Sequence, residues 1–424
     1  MVCKVAMKIL MLSATFPYPP SKGGTQVRTF HLAEFLSDRH GVTLVTLRSP
    51  DVTDDEVAAL GRSVGQLVVF DRSPEPAGGL GNKLNRAWDF IRTGVPPSVR
   101  AAYSAPMQAW VDRAIASGQF DVVTCEHSVN EQYLRPEWIN GPSPAIGPHG
   151  PLRAIVNIHS SVYGTCRNQL ATGTAEKPLR DRLNQPLLKR YEGTYCQKFS
   201  ALVVTTEEDA VQMRQFAPDH PVAVIPNGVN FETFPMRSHD PGGQNLIFCG
   251  AMDNQPNIDA VTYLAQEIFP IVRSRYPDAT LTLVGARPGP AIQALGKLPG
   301  VTVTGSVPAM APHLHRATIA VIPMRTGFGI KNKSLEAMAA GVPVVGSDRA
   351  LEGLSPDPSD HSTEIALRAN DTDAYVRAIT QLFEDPDHRD RLSRQGRALV
   401  EQHYTWGGVG QRYEAVLAGP PQGA

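Results

Sequence analysis

The 424-residue sequence predicts an α/β protein of two Rossmann-like domains, each on a parallel sheet, facing each other across a cleft. Three observations carry that prediction. Short apolar, β-branched runs alternate with longer segments of helical period, the pattern of β-α units. The runs are continuous rather than alternating, which suits strands covered by helices on both faces. Finally, "PNGVNFETFPMRSHDPGGQN" (226–245) is rich in Pro, Gly and Asn and has no period, so it reads as a linker between two sets of strands.

The first set is "KILMLSA" (8–14), "VTLVTL" (42–47), "QLVVF" (66–70), "FDVVTC" (120–125), "AIVNIH" (154–159), "ALVVTT" (201–206) and "VAVIP" (222–226). The second is "NLIFCG" (245–250), "TLTLVG" (280–285), "VTVTG" (301–305), "IAVIP" (319–323), "VPVVGS" (342–347) and the weaker "IALRA" (365–369). The expected domains are therefore 1–235 and 236–406, with a tail at 407–420 returning to cover the first. The opening stretch "MVCKVAMKILMLSATFPYPP" is interrupted by Lys8 and followed by a Pro-rich loop, not an Ala-x-Ala site. It reads as the first buried strand rather than a signal peptide, with Met7 an alternative start.

Composition narrows the class. The chain is 42% hydrophobic and 19% charged with net charge −1, which fits a soluble globular protein and gives no global attraction to nucleic acid. No run approaches the roughly 20 apolar residues needed to span a bilayer. Five cysteines (Cys3, Cys125, Cys166, Cys196 and Cys249) are odd in number and widely spaced, against a disulfide framework or zinc site and in keeping with a reducing cytoplasm. One segment, "NKLNRAWDFIRTGVPPSVR" (82–100), mixes Lys83, Arg86, Arg92 and Arg100 with Leu84, Trp88, Phe90 and Ile91. It suits either a peripheral membrane contact or an amphipathic helix packed on its own domain.

Ligands of open α/β sheets bind beyond the carboxyl ends of the strands, so the loops there hold the candidate site residues. In "FPYPPSKGGTQVR" (16–28), Gly23 and Gly24 precede a helix bearing Arg28; they offer amides to a phosphate or sugar or simply make the turn. His159 ends the fifth run, while Glu126 and His127 end the fourth; each is a site candidate or a structural residue. In "FCGAMDNQPNIDAVTYL" (248–264), Gly250, Asn254 and Asn257 are placed to meet a phosphate, although Pro256, Asn257 and Asp259 equally suit a helix start.

The strongest signal is "TGFGIKNKSLEAMAAGVPVVGS" (326–347). Gly327 and Gly329 make a flexible connection after a buried strand. Leu335, Met338 and Ala339 then repeat as a helical stripe that Gly341 and Pro343 stop. Lys331 and Lys333 oppose the positive end of that helix, at about 0.3–1 kcal/mol each, unless an anion lies in the loop. Glu336 is either a carboxylate that grips vicinal hydroxyls or the partner of Lys333 in a surface pair worth about 0.2–0.5 kcal/mol.

That stretch resembles the donor-site signature of retaining glycosyltransferases of family 4, in the variant of exopolysaccharide-type sugar transferases. The match runs through Gly327, Gly329, Lys331, Lys333, Leu335, Glu336, Ala337, Met338, Ala339, Gly341, Pro343, Val344 and Val345. "PYPPSKGGTQVRTFHLAEFL", "ALVVTTEEDA", "VIPNGVNFETF", "CGAMDNQPNIDAV" and "RQGRALVEQHYTW" resemble family segments in the right order. The resemblance implies the GT-B fold and transfer of a hexosyl unit from a nucleoside diphosphate sugar to a sugar, lipid-linked or small-molecule acceptor. It implies no cofactor and no obligate metal, since no Asp-x-Asp motif lies in a suitable loop. Glu336 would hold the donor's ribose hydroxyls, and Gly327, Phe328, Gly329 and Ile330 would present amides to sugar and diphosphate. Gly23 and Gly24 would line the acceptor side, with His159 near the transferred sugar.

Two positions depart from the family pattern. Phe328 stands where the E-x₇-E motif has its first glutamate, and Met252 and Asn257 stand where many members carry an arginine and a lysine. Lys331, Lys333 or both are expected to supply the missing positive charge. A nucleotide-sugar epimerase of the same fold and a non-catalytic nucleotide-sugar-binding subunit are the alternatives.

Overall fold

The computed structural model describes residues 6–72, 88–354 and 364–419. They form two compact units: residues up to Pro226 together with Val409 onward, and Asn227–Gly408. The boundary therefore falls at Pro226, at the start of the expected linker rather than at 235.

The first unit is built on a seven-stranded parallel sheet. Its strands are β1 (Lys8–Ser13), β2 (Gly41–Arg48), β3 (Gln66–Asp71), β4 (Val122–Glu126), β5 (Arg153–Asn157), β6 (Ala201–Val204) and β7 (Val222–Val224), in the order β3-β2-β1-β4-β5-β6-β7. The second unit has a six-stranded parallel sheet of β8 (Asn245–Cys249), β9 (Thr280–Val284), β10 (Val301–Gly305), β11 (Ile319–Ile322), β12 (Val344–Gly346) and β13 (Leu367–Arg368), ordered β10-β9-β8-β11-β12-β13. Every apolar run predicted as a strand forms one. Their continuity has the expected cause, since β4, β6, β11 and β12 are buried along their whole length. The apolar cores lie between sheet and helices, as Ile9, Leu12, Leu32 and Val123 show in one unit and Ile247, Leu335 and Val345 in the other.

The strand orders place the functional loops. In the first sheet the chain winds outward from β1 to β3 and then returns to the other side of β1 as β4. In the second it winds from β8 to β10 and returns beside β8 as β11. At such a reversal the loops after the two neighbouring strands diverge and leave a crevice at their carboxyl ends. Those loops are the ones after β1 and β4 in the first unit, and after β8 and β11 in the second.

Four helices carry or brace residues at these reversals: α1 (Gly24–Ser37), α2 (Gln255–Tyr263), α3 (Asn332–Ala339) and α4 (Trp406–Ala418). Helix α3 stops as its sequence requires. Gly341 takes φ +73°, and the amides of Gly341 and Val342 bond to the carbonyls of Met338 and Ala337, a Schellman closure. From Val409 onward α4 belongs to the first unit, where Val409, Tyr413 and Leu417 are fully buried. Among the described residues no helix is long and apolar enough to cross a membrane.

Candidate active site

In the second unit the loop after β11 and the start of α3 form a polar cluster. Gly327 and Gly329 have φ of +125° and +74°, backbone that L side chains rarely adopt. Lys331 occupies the N-cap position of α3 but makes no capping bond with its side chain. It is only 7% exposed. Its Nζ donates to the Gly329 carbonyl and lies 3.6 Å from Oε2 of Glu352. Glu352, buried, also accepts a 2.6 Å bond from Arg349, and its Oε1 has no partner.

Lys333 finds its partner in another loop. Its Nζ donates to Oδ1 of Asn257 at 2.7 Å and stands 5.1 Å from the centre of the Phe248 ring. Asn257 is fixed in turn by donating Nδ2 to the Ala251 carbonyl at 2.8 Å. A Cβ at Gly250 would come within 2.8 Å of that amide and 3.2 Å of the Lys333 stem, so glycine there lets the two groups meet. Asn257 thus holds a lysine, where the sequence suggested that it faces phosphate directly. Asn254 is exposed and starts α2 without a side-chain cap. Asp259 pairs with Arg325.

Glu336 and Lys333 keep part of their surface open, yet protein surrounds their charged ends. Desolvation pushes the Glu336 carboxyl up to about 7 and the Lys333 ammonium down to about 8, helped by the charge of Lys331. The solvated Lys333–Glu336 surface pair considered from sequence does not form, because Asn257 takes the lysine. Phe328 and Ile330 lie on the glycine loop between these groups, with Ile330 buried.

The first unit carries a second buried network at its own strand reversal. Glu126 ends β4 and pairs in register with Asn157 of β5. Its carboxylate accepts from Asn157 Nδ2 at 2.9 Å and from the Tyr413 hydroxyl at 2.8 Å. Arg28 of α1 donates to Asn157 Oδ1 and to the Pro226 carbonyl, each at 2.9 Å. Burial holds Arg28 down at about 10 and raises the Glu126 carboxyl.

His159 stands 4.0 Å from Glu126, with both ring nitrogens buried and without a hydrogen-bond partner. Burial, with the neighbouring His127 and Arg28, drives it well below the usual histidine range, so the ring is neutral. His127 packs edge-on against it at 5.4 Å and is likewise held neutral by burial, at about 4. Its Nδ1 accepts the Val129 amide at 3.3 Å, which leaves the ring proton on Nε2 facing Ser160 Oγ at 3.0 Å. His127 therefore has a local structural task, and His159 has none. Gly23 is extended at φ 175°, a conformation open to any residue, and Gly24 opens α1 on the surface.

Sequence reading missed Asn157, Tyr413, Glu352 and Arg349. A period-based reading treats Asn157 as part of a strand and Tyr413 as part of an apolar helix stripe; only their three-dimensional partners reveal polar work.

Residues 22–233 match Glycosyltransferase Family 4, and residues 243–385 match Glycosyl transferases group 1. The chain belongs to glycosyltransferase family 4. It is 26% identical over 219 residues to a GDP-mannose-dependent monoacylated alpha-(1-6)-phosphatidylinositol monomannoside mannosyltransferase of Corynebacterium glutamicum, a match covering 47% of this chain and 56% of that one. The chain thus spans a little over half the length of that relative. Among solved structures it superposes on sucrose-phosphate synthase from Thermosynechococcus elongatus with a TM-score of 0.70 at 17% identity, covering 98% of this chain and all of that one. It also superposes on HepE of Anabaena, solved with UDP and glucose, with a TM-score of 0.63 at 15% identity and the same coverage. With two parallel-sheet Rossmann-like domains and these likenesses, the fold is GT-B.

Proposed function

We propose that the protein is a retaining glycosyltransferase that moves a hexosyl unit from a nucleoside diphosphate sugar to an acceptor hydroxyl. The observation that carries this reading is the cluster at the β8/β11 reversal. It combines a glycine loop, a carboxylate on the following helix and a buried lysine oriented by a neutral amide. Glu336, ionised above about 7, accepts hydrogen bonds from the ribose hydroxyls, while Lys333 and the loop amides face the diphosphate. As the nucleoside diphosphate departs, charge grows on its oxygens, and donors already fixed in place stabilise it without reorganising.

His159 serves the transferred sugar. A neutral, buried imidazole with both nitrogens unpaired is poised to bond a hydroxyl, since leaving them unmet costs about 1–3 kcal/mol. Arg28, Glu126 and Asn157 fix the strand ends that carry it. The names of similar proteins support a nucleotide-linked donor, one relative being GDP-mannose-dependent and one structural neighbour holding UDP and glucose. We read the reaction as independent of a metal ion, with lysine and amides stabilising the leaving group. The acceptor is a sugar, a lipid-linked glycan or a small molecule.

The proposed setting is the cytoplasm, with peripheral membrane contact as the reading that the amphipathic segment adds. Residues 82–87 of the amphipathic segment lie outside the described residues; in its helical part Trp88 is 69% and Ile91 60% exposed while Phe90 is buried. The decisive assay follows donor consumption with and without a panel of sugar and lipid-linked acceptors, with and without EDTA. Acceptor-dependent, EDTA-resistant release of nucleoside diphosphate is expected. Conversion of the donor with no acceptor would point to the epimerase, and EDTA-sensitive transfer would remove the metal-independent part of the reading.

A further inference from the structure

We infer that the two lysines of the glycine loop have separate tasks: Lys333 meets the donor's diphosphate, whereas Lys331, anchored by Glu352, is a positioning residue that sets the shape of the loop. The division rests on the donor-site reading of this cluster and goes beyond it, because the family resemblance leaves the two lysines interchangeable.

The Lys331 side chain curls back beneath the loop that precedes it. Its head bonds to the Gly329 carbonyl, and its stem passes 3.2 Å from where a Cβ on Gly327 would stand. One side chain thus spans both residues whose positive φ values define the turn. The head also faces a carboxylate 3.6 Å away, which offsets its charge.

That carboxylate is itself held firmly. The turn carrying Glu352 is tied to α3 by a 2.7 Å bond from Ser334 Oγ to the Ala350 carbonyl. A 2.5 Å bond from Ser347 Oγ to the Met324 carbonyl ties it to the chain entering the loop. Arg349 bonds the same carboxylate oxygen that faces Lys331. The other oxygen is buried with no partner, which makes the pair a poor source of net stability and suits a device whose value lies in geometry.

Lys333 differs on each point. Its closest acceptor is the uncharged amide of Asn257, and an aromatic face lies beside it. An amide orients an ammonium without cancelling its charge. An ammonium has three donors, of which Asn257 takes one and the Met324 sulfur, 3.8 Å away, is a weak second. The cation is therefore aimed by neutral groups and has no carboxylate in direct contact, Glu336 acting on it only through space, a state that a diphosphate completes.

The test measures affinities for UDP, GDP and ADP, each against its monophosphate, in wild type, Lys333→Met, Lys331→Met, Glu352→Gln and the Lys331→Met/Glu352→Gln double variant. Hydrogen exchange of residues 326–331 is followed alongside. Lys333→Met is expected to cut the preference for diphosphate over monophosphate about tenfold, the loss of one charge-assisted contact. Lys331→Met, Glu352→Gln and the double variant should share one loss that affects both nucleotides alike, with faster exchange in the loop and recovery in Lys331→Arg. A fall in diphosphate preference in Lys331→Met, or additive losses in the double variant, would overturn the division while leaving the donor site standing. If wild type binds none of these nucleotides, the donor-site reading itself fails. Glu352→Gln is nearly isosteric and carries the test alone should Lys331→Met not fold.

Discussion

Glu336 and Lys333 lie within one turn of α3, and burial drives their pKa values toward each other, to about 7 and about 8. Ionised carboxylate and protonated amine therefore coexist best between those values. Binding of the cognate nucleoside diphosphate is expected to peak there, weakening below pH 7 as Glu336 protonates and above pH 8 as Lys333 loses its proton. The groups acting on Lys333 are Lys331, which lowers its pKa, and Glu336 and Cys249, which raise it. Proton linkage sets the sign of each effect on stability. A carboxyl raised above its unfolded value contributes stability at low pH and loses it as pH rises through 7. An ammonium lowered below its unfolded value weighs on the fold below pH 8, and that cost is relieved as pH rises from about 8 to the ordinary lysine value of 10.5. Glu336→Gln should accordingly raise Tm at pH 8 and leave it unchanged near pH 4, with about 2–4 °C for each kcal/mol recovered in a domain of this size. A lower Tm at pH 8 would show that Glu336 is not desolvated as described. From sequence, two lysines opposing a helix dipole were visible as an anomaly. Their resolution was not, because Asn257 lies 76 positions from Lys333 and no local pattern links them.

At the level of elements, the loop after β8 and the loop after β11 become one site because Gly250 leaves room. Gly250→Ala would place a methyl 2.8 Å from the Asn257 amide and 3.2 Å from the Lys333 stem. Both would have to shift, at about 1–3 kcal/mol for overpacking. The expected outcome is a folded protein with reduced Tm and markedly weaker nucleoside diphosphate binding; unchanged binding would mean that Asn257 does not aim the lysine. The central strands were legible because both faces of β4 and β11 are buried, so every residue of "VVTC" or "IAVI" must be apolar or small. The stop of α3 was legible too, since Gly341 at φ +73° is a local requirement. The hydrogen-bonded core of the first unit was not. Glu126, Asn157, Arg28 and Tyr413 come from four separate segments, and only the register of β4 with β5 and the docking of α4 bring them together.

For the whole molecule, two sheets with the same winding and the same reversal put polar clusters at equivalent places, one around Glu126 and one around Glu336. That correspondence follows from strand order alone and was within reach of the alternating runs. The exposed Trp88 and Ile91 bring a further expectation: wild type floats with anionic vesicles and Trp88→Asp floats less. Equal flotation of the two would assign those side chains no lipid contact. Most directly informative is the binding of UDP, GDP, ADP, CDP and dTDP to the purified protein by thermal shift, repeated with Glu336→Ala. One nucleotide should stabilise the wild type, and Glu336→Ala should lose that stabilisation. If no nucleotide binds at millimolar concentration, or if Glu336→Ala binds as well as wild type, the glycine–lysine–glutamate cluster is not a nucleotide-sugar site.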